Sequence, residues 1–375
     1  MEILSMFDLL DEEEQAKFKP IKSTDWKWSM ANDYPEKNGL KVFSCFACGG
    51  GSTMGYKLAG CEVLGCCEID KRMNDVYVKN HHPKYNYLMD IRDFNKTPDD
   101  EIPEELKNLD ILDGSPPCTT FSMSGLREES WGKEKKFREG QAEQTLDDLA
   151  FIFIETVAKL KPKCVVMENV EGLIKGEAWS YVQKIYKQLN DIGYQVKHWL
   201  CKGEHMGVPQ RRHRVFFIAL RNDIKFDLWD LDMSFNYAPV TFGEIKSEHG
   251  TPVKGDTMSE LVANIQFGDG DLSDVSGRIY GKPNSFFNSN IIYDDKVNLT
   301  ITAKNTNIRY DTREYMSPDD VINSQTFPQD YDFENRGIHN VTYICGMSVP
   351  PIMIKRIVTR LIESGVFDKC RQKTN

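Results

Sequence analysis

No apolar run in the sequence approaches the ~20 residues needed to cross a bilayer. The densest apolar clusters, at 149–154 and 215–220, have the length of core elements. The N-terminal stretch lacks a basic segment and runs directly into the acidic residues 11–14, which is not the pattern of a secretory signal. The expected setting is therefore the cytoplasm, with no membrane partner. A disulfide scaffold is excluded as well: ten cysteines spread over 375 residues are expected to be thiols, mostly buried. Cys45 and Cys48 form a C-x-x-C, but no second such pair and no spaced histidine pair completes a metal set, so no metal is expected. There is no G-x-S-x-G and the seven histidines are scattered, which leaves Ser/His/Asp catalysis without a motif. A basic excess is missing too, the net charge being −10. That does not exclude nucleic acid, because binding depends on where cations cluster. Here they cluster at 127–138 and 210–214, while acidic residues concentrate at 8–14 and 99–105.

The sequence does contain a rhythm. Lys41–Phe46 is a short apolar run, Gly49-Gly50-Gly51 a turn and 52–59 a helix, followed by a second strand over 62–67 closed by Glu68. Strands at 109–113, 164–167 and 215–220 alternate with helices at 146–160 and 179–189. This alternation predicts an α/β fold with a Rossmann-like doubly wound sheet. After about residue 221 Asp, Gly, Ser and Asn dominate, predicting a second, smaller domain of strands and loops. A helix returns at 351–366. The expected organisation is an extension at 1–39, a sheet domain at 40–222, a second domain at 223–334, and a segment at 335–375 that returns to the sheet domain.

In open α/β sheets ligands bind beyond the carboxyl ends of the strands, and four such ends carry unusual residues. Phe46-Ala47-Cys48-Gly49-Gly50-Gly51 is a glycine turn through which backbone can approach a ligand, and Glu68 ends the next strand where a carboxylate can accept from ribose hydroxyls. A plain tight turn is the competing reading. Ser115-Pro116-Pro117-Cys118 presents a thiol on two residues of fixed φ, and a helix starting near Thr119 would favour its thiolate. Met167-Glu168-Asn169-Val170 places a carboxylate at the end of an apolar strand, suited either to hold a proton or to cap a helix. Pro209-Gln210-Arg211-Arg212-His213-Arg214 sets alternating cations before the next strand, as a solvated rim or as groups that orient a carbonyl or anion.

Pro117-Cys118 with Phe121-Ser122, then Glu168-Asn169-Val170, then Gln210-x-Arg212-x-Arg214, in this order and spacing, resemble the DNA (cytosine-5)-methyltransferases that use S-adenosyl-L-methionine. The similarity runs over about residues 41–362. It implies Cys118 as the nucleophile at carbon 6 of cytosine, Glu168 at the ring N3 and exocyclic amine, and Arg214 with Arg212 orienting the base. It implies cofactor contacts at Phe46, Ala47, Gly49, Gly51, Glu68, Ile69, Asp90, Ile91, Pro117, Leu149, Ser348 and Val349. Ser122, Gln210 and Thr300 would position DNA, and residues 122–144 would form a mobile loop. The segment from about 222 to 298 would read bases in double-stranded DNA as the target recognition domain. The resemblance further implies base flipping, a monomer without a stable protein partner, and a restriction–modification or orphan setting in which a cognate endonuclease is encoded alongside.

Two positions depart from the family's pattern. Cys48 stands where the first glycine of Phe-x-Gly-x-Gly-Gly is usual, and Met347 stands where Gly-Asn-Ser-Val-Pro has its asparagine. Three other readings stay open on the sequence: an RNA cytosine-5 methyltransferase, a silent DNA-binding protein on the same fold, and a thiol oxidoreductase using Cys45 and Cys48.

Overall fold

The computed structural model describes residues 20–117, 148–281, 289–304 and 306–368. The apolar runs become strands β1 (Lys41–Cys45), β2 (Glu62–Glu68), β3 (Tyr85–Leu88), β4 (Ile111–Gly114), β5 (Cys164–Val170), β6 (Tyr194–Lys202), β7 (Gln210–Arg211) and β8 (His213–Arg221). All but β7 join one seven-stranded sheet in the order β3-β2-β1-β4-β5-β8-β6. β1 to β5 are parallel, and β8 lies antiparallel between β5 and β6. The helices between them are α1 (Gly51–Leu58), α2 (Lys71–His81), α3 (Ile91–Lys96), α4 (Leu149–Leu160) and α5 (Trp179–Asp191). The expected doubly wound α/β sheet is thus present. Sheet growth reverses between β1 and β4, which opens a crevice at their carboxyl ends.

The strands alternate sides with a period of two. Phe43, Leu112, Val165 and Phe217 face α3, α4 and α5 across one apolar layer. Val42, Ile111, Val166 and Phe216 face the opposite layer, which contains Tyr56 of α1 and Ile354, Ile357 and Leu361 from the end of the chain. Each fully buried side chain of this size contributes about 1.5–3 kcal/mol relative to exposure. A Cβ on Gly114 would lie 2.3 Å from the Phe153 ring, so only glycine lets α4 close on the end of β4.

The second half contains α6 (Phe242–Ile245), α7 (Asp256–Ala263), α8 (Leu272–Tyr280), β9 (Ile291–Ile292), β10 (Asn298–Leu299), β11 (Ile308–Arg309), α9 (Pro318–Ser324), α10 (Ile338–Met347) and α11 (Pro351–Glu363). Residues 224–233 remain on the sheet, with Ile224, Leu228 and Leu231 in its second layer. A separate small core of Leu261, Val262, Leu272, Val275, Ile291 and Ile308 holds α7 and α8 to the β9–β11 pair. The sequence expectation of strands and loops there is corrected: α7 and α8 are helices of eight and nine residues, and the strands are two residues long. Their apolar faces are only a turn or two long, too short to stand out among Asp, Ser and Gly.

A third core joins α6, α9 and α10 to Met54 and Met73 of the sheet domain. Residues 20–38 pack on this region: Trp26 is buried, Trp28 Nε1 donates to the Thr326 carbonyl, and Asp330 accepts from Ser29, Met30 and Ala31. Ile338–Glu363 is long and apolar enough to span a membrane, but it is mostly buried in the fold and consists of α10 and α11 interrupted at Ser348–Pro350.

Candidate active site

The crevice is built from the ends of β1 and β4, where Cys45 and Gly114 pair. After β1, Phe46, Cys48 and Gly50 take φ of 56°, 48° and 83°. The left-handed conformation costs roughly 1–2 kcal/mol at a residue with a Cβ, so the turn must be held from outside. The Phe46 N–H donates to the Cys67 carbonyl at 2.9 Å, and the Cys48 N–H to Glu68 Oε2 at 2.8 Å. The Gly49 carbonyl accepts from Tyr331 OH at 2.6 Å and from His81 Nε2 at 3.3 Å. Burial, with Lys57 nearby, pushes the His81 imidazole down to about 3, so it is a neutral donor. A Cβ on Gly51 would sit 2.2 Å from the Val349 carbonyl oxygen, which is how Ser348 and Val349 come to lie against the turn. Cys48 therefore keeps a glycine-like backbone, and both it and Met347 pack against the third core.

Glu68 ends β2 buried, its two oxygens fixed by the Cys48 and Asp70 N–H groups, the latter at 2.8 Å. Asp90 caps α3 by accepting from the Arg92 N–H at 2.8 Å and also pairs with the Arg92 guanidinium. Ile91 and Leu149 are buried, Ala47 too, and Phe46 is half-buried with its ring 6.3 Å from that of Phe153. Ile69, by contrast, is 42% exposed.

At the end of β5, Glu168 is buried and its Oε1 lies 2.7 Å from Nε of Arg214 on the neighbouring β8. The antiparallel register puts Val170 opposite Arg214, so the Glu168 side chain meets the arginine diagonally. Asn169 donates to the Pro116 carbonyl at 3.2 Å, tying β5 to the turn that carries Pro117. Arg212 is buried, donating to the Ile301 carbonyl at 3.1 Å and the Gly346 carbonyl at 3.3 Å. Burial, with Arg214 nearby, lowers it to about 9, so it is a cation at neutral pH. Gln210 is buried on β7, which pairs with β10, and Thr300 Oγ1 donates to the Arg211 carbonyl at 2.7 Å. Cys118 and Ser122 lie outside the described residues.

Three groups went unread in the sequence. Asp113, inside β4, is buried and accepts from Ser44 Oγ at 2.6 Å and Tyr56 OH at 3.1 Å. Burial pushes its carboxyl up to about 7 against the pull of those hydroxyls, and the charge of Glu168 adds to the rise. A charged residue between apolar neighbours in a central strand was the available signal. His213 lies between Glu171, at 3.2 Å, and Glu204, at 2.7 Å, just beside Arg214. Gln325 is buried beside Gln210. The Cys45 thiol is fully buried in β1, and burial pushes it well above its ordinary value, which removes support from a C-x-x-C redox site.

Residues 40–363 match the family model for C-5 cytosine-specific DNA methylases. The chain belongs to that family. It is 31% identical to the Type II methyltransferase M.FnuDI of Fusobacterium nucleatum over 49% of its length and 48% of that protein. It is 30% identical to the Type II methyltransferase M.NgoPII of Neisseria gonorrhoeae over 52% of each chain. The matched stretch thus spans about half the length of these curated relatives. Among solved structures, DNMT2 of Spodoptera frugiperda superposes with a TM-score of 0.62 at 16% identity, over 86% of this chain and 100% of that one, a likeness of fold.

Proposed function

We propose that the chain methylates carbon 5 of a flipped-out cytosine at a specific sequence in duplex DNA, using S-adenosyl-L-methionine and a covalent adduct at Cys118. The observation that carries this reading is the Glu168–Arg214 pair at the end of β5, set beside the Pro116–Pro117 turn that Asn169 holds.

The donor set around the glycine turn fits the cofactor. Glu68 offers fixed carboxylate oxygens to a ribose diol, Asp90 an acceptor to the adenine amine, and Phe46 an aromatic face. Ile91 and Leu149 add apolar walls, and Ala47, Gly49, Gly51, Pro117, Ser348 and Val349 backbone or close contact. The solvent-facing Ile69 is the weakest of the proposed contacts. When bound, the cofactor supplies an electrophilic methyl group on a sulfonium.

Carbon 5 of cytosine is a poor nucleophile, and the residues of the chain change that. The Cys118 thiolate adds to carbon 6, forming the S–C6 bond while the ring's electrons move toward N3. Glu168 holds the proton at N3 and accepts from the exocyclic amine, with Arg214 keeping the carboxylate and the base in one orientation and Arg212 fixing the strand that carries Arg214. Carbon 5 is then an enamine carbon able to take the methyl group. A water takes the proton from carbon 5, the C5–C6 double bond re-forms, the thiolate leaves, and the N3 proton returns to Glu168. None of these atoms is reachable in a stacked duplex, so the base must leave the stack.

The small core around α7, α8 and the β9–β11 pair supports a recognition unit within residues 223–334, with Ser122 and Thr300 positioning the DNA and the fully buried Gln210 acting only through the Ile301 N–H that it accepts from. Residues 335–375 belong on this reading to the catalytic domain, and 1–39 to an extension. The enzyme acts where DNA is, inside the cell, as a monomer, with or without an endonuclease encoded beside it.

Transfer of tritium from labelled S-adenosylmethionine tests this reading. Label recovered as 5-methylcytosine from duplex DNA is the expected result. Label on tRNA alone would replace DNA by RNA as substrate, and label on neither would overturn the activity.

A further inference from the structure

Gln325 follows α9, is fully buried, and stands two residues before Phe327-Pro328. Its side chain is used in both directions. Nε2 donates to the Ser348 carbonyl at 2.6 Å, and Oε1 accepts from Gln210 Nε2 at 2.7 Å. Gln210 Oε1 in turn accepts from the Ile301 N–H at 2.9 Å, immediately after Thr300 and β10. Gln210 is fully buried as well. Arg212 runs a parallel connection, from the Ile301 carbonyl to the Gly346 carbonyl. At the far end Ser348 rests on the glycine turn, where a Cβ on Gly51 would lie 3.0 Å from Ser348 Cβ.

A continuous path of buried hydrogen bonds therefore joins the strand that leaves the small recognition core to the wall of the cofactor crevice. The Gln325 position uses one donor and one acceptor, which the primary amide carries side by side on one planar group. An apolar side chain would leave the Ser348 carbonyl short of a donor, and a carboxylate would set an acceptor against an acceptor.

We propose that Gln325 is a positioning residue that links the cofactor wall at Ser348 to the recognition segment at Ile301, so that occupancy by an S-adenosyl nucleoside tightens that segment. The inference rests on the cofactor reading of Ser348 given above. Linkage is reciprocal: whatever a ligand gains from an ordered Ser348, the Ile301 hydrogen bond gains in turn.

The test uses the full chain, S-adenosylhomocysteine as probe, and two readouts other than turnover. Calorimetry gives affinity, and hydrogen exchange gives protection over residues 298–304. In the wild type the probe is expected to slow exchange in this segment. In Gln325→Met the affinity is expected to fall about tenfold, equivalent to about 1.4 kcal/mol, and the ligand-dependent slowing to disappear. A variant that is merely less stable, with the slowing intact, would overturn the linkage. So would unchanged affinity. If Gln325→Met does not fold, the wild type decides alone: bound probe with unaltered exchange at 298–304 overturns the proposal. A wild type that does not bind the probe at all removes the cofactor reading itself, and the linkage with it.

Discussion

Replacing Asp113 by asparagine should change how stability depends on pH, and the size of the effect can be worked from its surroundings. The carboxyl is fully enclosed in β4, and burial carries it from 3.8 to about 7 despite hydrogen bonds from Ser44 and Tyr56. Between those two values the folded chain keeps a proton that the unfolded chain has lost. Stability therefore falls as pH rises through this window and levels off above about 7. At about 1.4 kcal/mol per pH unit the whole window is worth roughly 4 kcal/mol. About 2 kcal/mol of that lies between pH 5.5 and 7, where denaturation is easily measured. Asparagine does not titrate, and its amide can accept from one hydroxyl while donating to the other, since hydroxyl protons rotate. Urea denaturation of both proteins at half-unit steps from pH 5.5 to 8 should show Asp113→Asn gaining about 2 kcal/mol on the wild type across the range. Parallel pH profiles would refute the reasoning, and would mean that Asp113 is ionised in the folded chain throughout.

Three further outcomes are expected. Arg309 and Asp320 form a fully buried pair, Nη2 to Oδ2 2.6 Å, and Arg309→Met would leave Asp320 uncompensated. A loss of about 3–5 kcal/mol by chemical denaturation is expected, and a loss under 1 kcal/mol would show that the pair is not structural. Cys48, at φ 48°, should tolerate glycine within about 1 kcal/mol, because strain relief offsets the looser unfolded chain, while Cys48→Val should cost about 2 kcal/mol or more. Equal midpoints for the two variants would contradict the left-handed backbone. Glu168→Gln should lower kcat by about 10²–10⁴ while affinity for S-adenosylhomocysteine, measured by calorimetry, stays the same. Unaltered turnover would remove Glu168 from the chemistry.

The central strands were legible in the sequence because they are buried on both faces and read as continuous apolar runs: β1, β4, β5 and β8. The strands that were missed, β3 and β6, are the two edges of the sheet, where half-buried residues such as Tyr85, Lys197 and His198 interrupt the run. The small core at α7 and α8 escaped notice because eight or nine residues give too little periodicity. The motif residues among those described lie at the ends of β1, β2, β4 and β5 and just before β8, since glycine turns, prolines and strand-terminal carboxylates signal locally. Gln325, Tyr331 and His81 gave no such signal. Each acts through a partner far away in the chain, as Tyr331 does on Gly49, and an isolated glutamine or tyrosine carries no mark of that.

The central claim is a covalent bond between Cys118 and cytosine, and it can be trapped. The protein is incubated with S-adenosylmethionine and a duplex library containing 5-fluorocytosine, then denatured, and the DNA that remains attached is sequenced. Fluorine at carbon 5 cannot leave as a proton does, so the wild type should stall as an adduct on one recognition sequence, and Cys118→Ala should yield none. An adduct that persists in Cys118→Ala, or no adduct from a wild type that binds S-adenosylhomocysteine, would contradict it.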